Sequence, residues 1–221
     1  MRPIDLITIA RAFGAGGGEL AESLGARLGW RVLDHDLVER VAGRLGVARD
    51  DVAACDEHAP RILERIGSVV LRTSPNFAPA ADPPRQPGPD EIADATRDVL
   101  RAAAESPPLV VVGHGAQALF HDRPGTLHLR LVAPLRDRVR RICARAGCTG
   151  EDAVALARRM DDERIFYVRH YYHRDWHDPL LYDIHVNTDR VSIDEAADMV
   201  TRLVHDRGGH TANAALDSGR M

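Results

Sequence analysis

The chain has no lysine: all 29 of its Lys and Arg positions are arginine. Any phosphate it holds is therefore held by guanidinium groups and backbone amides. A basic footprint is missing as well, because the formal charge is −4, the pI is about 6.2, and the arginines alternate with Asp and Glu. That balance argues against nucleic acid as a partner and leaves a small polyanion open. Cysteine is scarce: Cys55, Cys143 and Cys148 form no CxxC pair, and no charged and apolar leader precedes Ile4 to Ile9. The reading is a protein of the reducing cytoplasm. Long apolar runs are lacking too, since the longest, Leu109 to Val112, falls far short of the roughly 18 to 20 residues of a membrane helix. No membrane partner is expected.

What is present suffices for one good core, at 221 residues and 44% hydrophobic content. Ile4 to Ala10 is rich in β-branched and aliphatic residues and runs into a glycine cluster, after which Leu20, Leu24 and Leu28 recur until Gly29. This predicts strand, glycine turn and helix. Trp30 to Asp34 reads as a second strand, Asp36 as the cap of a helix reaching Leu45, and residues 59–71 as further helix. The prolines between Thr73 and Pro89 can sustain neither a helix nor a central strand, so that segment reads as a mobile loop. A helix over 90–105 follows, and Leu109 to Val112 has the unbroken apolar character of a strand buried on both faces. Further strands are predicted at 126–132 and 182–187, and helices after Pro134, over 150–172 and from Ser192, with a frayed tail after Arg207. Strands alternating with helices imply an α/β fold with parallel strands, and ligands at their carboxyl ends.

The glycine cluster is the first chemical feature. Gly14, Gly16, Gly17 and Gly18 stand where a strand hands over to a helix, with Arg11, Phe13, Ala15 and Glu19 around them. Glycine permits positive φ and close approach of an anion to unpaired helix N–H groups, so phosphate is the natural guest, although a structural turn is the alternative. Against the Walker pattern G-x-x-x-x-G-K-[ST], the lysine position is Gly17, and Gly18 and Glu19 follow in place of the hydroxyl. A dinucleotide G-x-G-x-x-G fits no better, because Glu19 stands at its third small position.

The second feature lies on the long helix, where spacings of three and four put Arg158, Asp162, Ile165 and Arg169 on one stripe with Asp161 and Arg164 beside it. It is either a solvated face of ion pairs or an arginine lid that closes on phosphates. Asp34 ends the second strand and can orient an acceptor, bind Mg²⁺ through water, or cap the next helix. His114 follows the third strand as a candidate phosphate contact or a hydrogen-bonded strand-end histidine. His170, His173 and His177 do not make a metal site, since only the first two share a helical face and no convincing ligand stands beside them.

Taken together these segments resemble a known family. They are Ile7 to Leu20, Gly29-Trp30 with Asp34, Val111 to Ala116, Asp162 and Arg164 with Tyr167, Trp176-x-Asp178-Pro179, and Tyr182-Asp183 with Asn187-Thr188. Their order resembles the cytidylate-kinase-like family of P-loop proteins. The resemblance implies a P-loop NTPase-type three-layer α/β/α fold with a five-stranded parallel sheet, a monophosphate-binding region after the second strand and a helical lid. It implies one kinase-like domain over 1–207 containing the 73–89 loop and a lid at about 150–180, then a flexible tail over 208–221. ATP with Mg²⁺ is the implied donor, and a nucleoside monophosphate the implied acceptor. The implied catalytic groups are Arg158, Arg164 and Arg169, with Arg11, Phe13, Gly14, Ala15, Gly16, Gly17, Gly18 and Glu19 on the donor and Asp34 and His114 on the acceptor. Two departures stand out. The loop lysine is gone, so Arg11 and the glycines occupy the loop, and His114-Gly115 replaces the Arg-Asp that members use to hold a pyrimidine nucleotide. These leave open a non-catalytic nucleotide- or anion-binding protein of the same fold, or a kinase of another small acceptor. Oligomeric state is not fixed.

Overall fold

The computed structural model describes residues 2–34, 36–46 and 87–217; the helical text at 59–71 and most of the proline-rich loop lie outside them. In chain order the elements are β1 (Leu6–Arg11), α1 (Gly17–Leu28), β2 (Arg31–Leu33), α2 (Asp36–Leu45), α3 (Pro89–Ala104), β3 (Leu109–Val112) and α4 (Ala116–Leu119). Then come β4 (Thr126–Val132), α5 (Leu135–Ala146), α6 (Gly150–Tyr172), a 3₁₀ turn at Pro179–Leu181, β5 (Ile184–Asn187) and α7 (Ile193–Asp217). The chain divides into two compact units, Met1–Asp34 with Ala102–Met221, and His35–Arg101.

The first unit holds a five-stranded parallel sheet in the order β2-β3-β1-β4-β5. β1 lies at its centre, paired from Leu6↔Leu109 to Ile9↔Val112 on one side and from Leu6↔Thr126 to Arg11↔Leu131 on the other. Both faces of β1, β3 and β4 are covered, which is why Leu109-Val110-Val111-Val112 shows no polar alternation. On one face Ile7, Ile9, Val110, Val112, Leu127 and Leu129 pack with Leu20 and Leu24 of α1 and Ala196, Ala197 and Val200 of α7. The opposite face is more polar. There Thr8 shares a 2.7 Å hydrogen bond with His128, and Ala10 packs on Leu181 and Tyr182.

The Trp176-x-Asp178-Pro179 motif builds the cover of that second face. The Asp178 carboxylate accepts the Leu180 N–H at 2.9 Å and Pro179 opens the 3₁₀ turn, so the chain folds back with Trp176 and Tyr182 inward. Between them lies Arg130, 6% exposed, 4.1 Å from the Trp176 ring centroid and 5.1 Å from that of Tyr182. Its guanidinium donates to the Trp176 carbonyl and the Tyr182 hydroxyl and meets His177 Nδ1 at 3.1 Å. Burial pushes the Tyr182 hydroxyl up to about 12, so it stays a neutral donor, giving its proton to the Trp176 carbonyl at 2.8 Å.

In the second unit α2 buries Leu37 and Val41, α3 buries Ile92, Ala93 and Leu100, and Arg44 bridges to Asp98 at 2.7 Å. α7 opens with a capping box: the Ser192 hydroxyl accepts the Glu195 N–H at 3.2 Å, and Glu195 accepts the Ser192 N–H at 2.8 Å. α7 continues through Gly208-Gly209 to Asp217. Two glycines without a following proline weaken a helix without stopping it, and Ala212, Ala214 and Ala215 favour it. Among the described residues no helix is long and apolar enough to cross a membrane.

Candidate functional site

At the carboxyl end of β1 the chain turns through Ala12 to Gly16 and enters α1. Gly14 and Gly16 adopt φ of 81° and 89°, left-handed values that side chains resist. Packing makes the same demand. A β-carbon at Gly14 would come within 3.0 Å of the Arg138 carbonyl, and one at Gly16 within 2.8 Å of Ile193 Cδ1. Gly16 caps α1, so the amides of Gly17, Gly18 and Glu19 open the helix with no carbonyl upstream to receive them. Converging N–H groups at the positive end of a twelve-residue helix dipole form an anion cradle.

The first residue of α1 is Gly17, where a Walker loop carries lysine. A β-carbon there would meet Arg11 Cγ at 2.8 Å, Cβ at 3.0 Å and Cδ at 3.1 Å. The stem of Arg11, rising from the last position of β1, thus crosses the place that a lysine stem would fill. At the second helical residue, where the loop hydroxyl would stand, a β-carbon on Gly18 would lie 3.4 Å from Asp34 Oδ2. An arginine stem and a carboxylate therefore lie against the two bare glycines, from the ends of β1 and β2 on either side of β3.

The far side of the loop is held by arginines of α5 and α6. Asp161 Oδ1 accepts the Phe13 N–H at 2.8 Å, and Arg138 donates both to the Phe13 carbonyl at 3.0 Å and to Asp161 Oδ2 at 2.8 Å. Arg141 donates to the Gly14 carbonyl at 3.5 Å and to the Thr188 hydroxyl at 2.8 Å, and that hydroxyl donates to the Ala15 carbonyl at 3.0 Å. Arg164, 7% exposed, reaches the Arg11 carbonyl at 3.3 Å and lies 5.5 Å above the Phe13 ring centroid. Carbonyls of Arg11, Phe13, Gly14 and Ala15 all point to these donors, while the amides of Ala12 and Ala15 bond to the carbonyls of Leu131 and Ala12 at 3.0 Å.

The sequence-predicted residues separate accordingly. Arg11, the glycines and Asp34 gather at the start of α1. Ala15 is fully buried, and the Phe13 side chain packs against the cluster of Ile142, Ala153 and Ala157. Glu19 is ion-paired with Arg145. Arg164 faces the loop, whereas Arg158 and Arg169 stand on the exposed stripe of α6. His114 is buried at the end of β3 in a run of left-handed backbone, with φ of 77° at Gly113, 55° at His114 and 67° at Gly115. A histidine in that region costs of order 1 kcal/mol and marks a constrained position. The Tyr172 hydroxyl donates to the His114 carbonyl at 3.1 Å, and its ring fills the space a Gly115 side chain would need.

Arg138, Arg141 and Tyr172 were not singled out by the sequence. Arg138 and Arg141 are three apart among the apolar positions Leu135, Val139 and Ile142, a spacing that places them on one edge of α5, but nothing in the text says that the edge faces a loop more than a hundred residues upstream. Elsewhere, burial lowers His128 below its ordinary value, with Asp183 opposing and His121 reinforcing. Among the described residues no three His, Cys, Asp or Glu side chains converge as a metal cluster.

Compared with known proteins, residues 6–190 match the cytidylate kinase-like family. A crystal structure of an uncharacterized protein from Eubacterium ventriosum ATCC 27560 superposes with a TM-score of 0.65 at 22% identity, covering 91% of this chain and 99% of that one. A gluconokinase from Sinorhizobium meliloti 1021 follows the same fold with a TM-score of 0.52 at 14% identity, covering 93% and 97%. A shikimate kinase from Acinetobacter baumannii in complex with shikimate does so with a TM-score of 0.50 at 17% identity, covering 92% and 94%. No curated protein matches the chain.

Proposed function

The chain belongs to the cytidylate kinase-like family and is a kinase-type phosphotransferase, and we propose that it carries the γ-phosphoryl group of ATP to a nucleoside monophosphate, giving the diphosphate and ADP. The observation that supports this most directly is the crossing of Gly17 by the stem of Arg11. A phosphate loop without lysine lacks the cation that binds the outer phosphates, and here the stem of an arginine from the preceding strand occupies the place of the lysine stem. Phosphoryl transfer asks little covalent chemistry of the protein, so loop amides and positioned guanidinium groups can supply most of the stabilisation.

In this reading the amides of the loop and of Gly17 to Glu19 bind the inner phosphates, and Arg11 binds the outer ones. Arg138, Arg141 and Arg164 keep the loop carbonyls turned away, and Arg158 and Arg169, on the exposed stripe of α6, close on the transferring group as a lid. Asp34 offers the hard oxygen donor that Mg²⁺ prefers, directly or through water, beside the helix residue that lacks a hydroxyl. When bound, the ion would neutralise and bridge the phosphate oxygens. In the same reading His114, buried where the sheet ends, serves the acceptor. The family's description favours cytidine monophosphate as the acceptor.

The test is a phosphotransfer panel of nucleoside monophosphates with ATP and Mg²⁺, read by diphosphate formation. Turnover with a pyrimidine monophosphate is expected. Thermal stabilisation by ATP with no diphosphate from any member of the panel would sink the proposal.

A further inference from the structure

α5 ends at Ala146, and Gly147 takes φ of 63° and returns its N–H to the Cys143 carbonyl at 2.9 Å. This left-handed cap folds the residue after the glycine back over the last turn, where capped helices usually place an apolar contact. Here the returning residue is Cys148, which packs against the same apolar cluster as Cys143. Both residues are half-buried, and Cys143 Sγ also lies 3.5 Å from the Thr149 carbonyl. The pair borders the cluster formed by Ile142, Ala153 and Ala157, against which Phe13 of the loop is packed.

We propose that Cys143 and Cys148 are a reversible oxidation site, a dithiol that closes to a disulfide and thereby loosens the phosphate loop. The oxidant is a hydroperoxide. One thiolate attacks the outer peroxide oxygen, the O–O bond breaks, and a sulfenic acid and an alcohol, or water from hydrogen peroxide, are formed. The second thiol then attacks the sulfenic sulfur, the S–S bond forms, and the hydroxyl leaves with the thiol proton as water. Two thiols lose two electrons and the peroxide gains them. Burial, then the neighbouring thiol, holds Cys143 above the ordinary thiol range, which suits it to the resolving step.

The consequence for the loop follows from what the pair connects. Disulfide formation draws the sulfurs together to about 2.05 Å. That pulls on the end of α5, which carries Arg138 and Arg141, and on Thr149, whose hydroxyl caps α6 by accepting the Asp152 N–H at 3.2 Å. α6 in turn carries Asp161 and Arg164. Both sets of loop-holding side chains move with the two helix ends. The effect on nucleotide rests on the function proposed above, whereas the thiol chemistry does not.

The experiment uses the full chain with Cys55→Ser, so that the pair is alone, treated with equimolar hydrogen peroxide and digested with trypsin without reduction. Cleavage after Arg141, Arg145 and Arg158 isolates the two cysteines on separate peptides. The expected product is 142–145 joined to 146–158, two hydrogens lighter than the sum and separated by dithiothreitol. Recovery of the peptides as separate thiols or sulfinic acids overturns the site. Calorimetry with ATP should then show about fivefold weaker binding after oxidation, restored by dithiothreitol and absent in Cys148→Ser. A disulfide that leaves ATP affinity unchanged overturns the link to the loop. If ATP fails to bind even the reduced protein, the function proposed above is wrong and with it the link to nucleotide, while the peptide map still decides the thiol site.

Discussion

Arg138 and Asp161, 2.8 Å apart and both mostly buried, grip the two ends of one residue: Asp161 takes the N–H of Phe13 and Arg138 its carbonyl. Each also completes the other's hydrogen bonding, so the pair works as a clamp on the strand-to-loop transition.

Removing one jaw leaves the other charged and poorly solvated. Asp161→Ala should cost about 2 kcal/mol and lower Tm by about 4 to 8 °C, measured by thermal unfolding. Asp161→Asn keeps an oxygen for Phe13 and should recover part of that loss. ATP affinity should fall in both variants, and an unchanged Kd would show that the clamp does not shape the loop.

Arg11 and Gly17 should behave as a coupled pair. Alanine is the better helix former, so on propensity alone Gly17→Ala would stabilise α1 by up to about 1 kcal/mol. The added β-carbon would instead displace the Arg11 stem, and ATP binding should weaken about tenfold without loss of Tm. Arg11→Ala should weaken it at least as much, and the double variant no further than Arg11→Ala alone. Independent, additive losses measured by calorimetry would refute the coupling.

The arginines of α6 should divide into two behaviours. Arg158→Ala and Arg169→Ala lie at exposed positions and should leave stability within about 0.5 kcal/mol while lowering kcat by about a hundredfold or more. Arg164→Ala removes a buried group bonded to the loop and should lower Tm as well. Steady-state kinetics beside thermal melts separates them.

Gly115→Ala meets two obstacles, a φ of 67° and the ring of Tyr172. A loss of about 2 to 3 kcal/mol is expected from urea denaturation. In a Tyr172→Ala background only the backbone share, about 1 kcal/mol, should remain.

His128 makes the fold acid-sensitive. Its folded-state value is lowered from the ordinary 6.5, chiefly by burial, so below that value the unfolded chain binds a proton that the folded one refuses. Stability is full above the ordinary value and is lost as pH falls through it. The urea midpoint should drop between about pH 7.5 and about pH 5.5, and His128→Gln should flatten that slope. An identical slope in the variant would assign the sensitivity to another group.

Much of this molecule is local in origin. The apolar run at Leu109 to Val112, the glycines after β1 and the Ser192-Glu195 cap each act on neighbours within a few residues, and each is legible in the text. The absence of lysine and the bare Gly17 are likewise sequence facts, and they fixed which charge was missing from the loop. What supplies and surrounds that loop was settled only by folding. Parallel pairing brings Asp34 beside Gly18, and the packing of α5 and α6 brings Arg138, Arg141 and Asp161 to carbonyls more than a hundred residues away in the chain. The same packing turned Arg164 inward and left Arg158 and Arg169 outside, a choice of helix face that the stripe itself did not name. A guanidinium has no preference of its own between water and a loop carbonyl. The choice was made by which helix face the sheet and its neighbours had already covered.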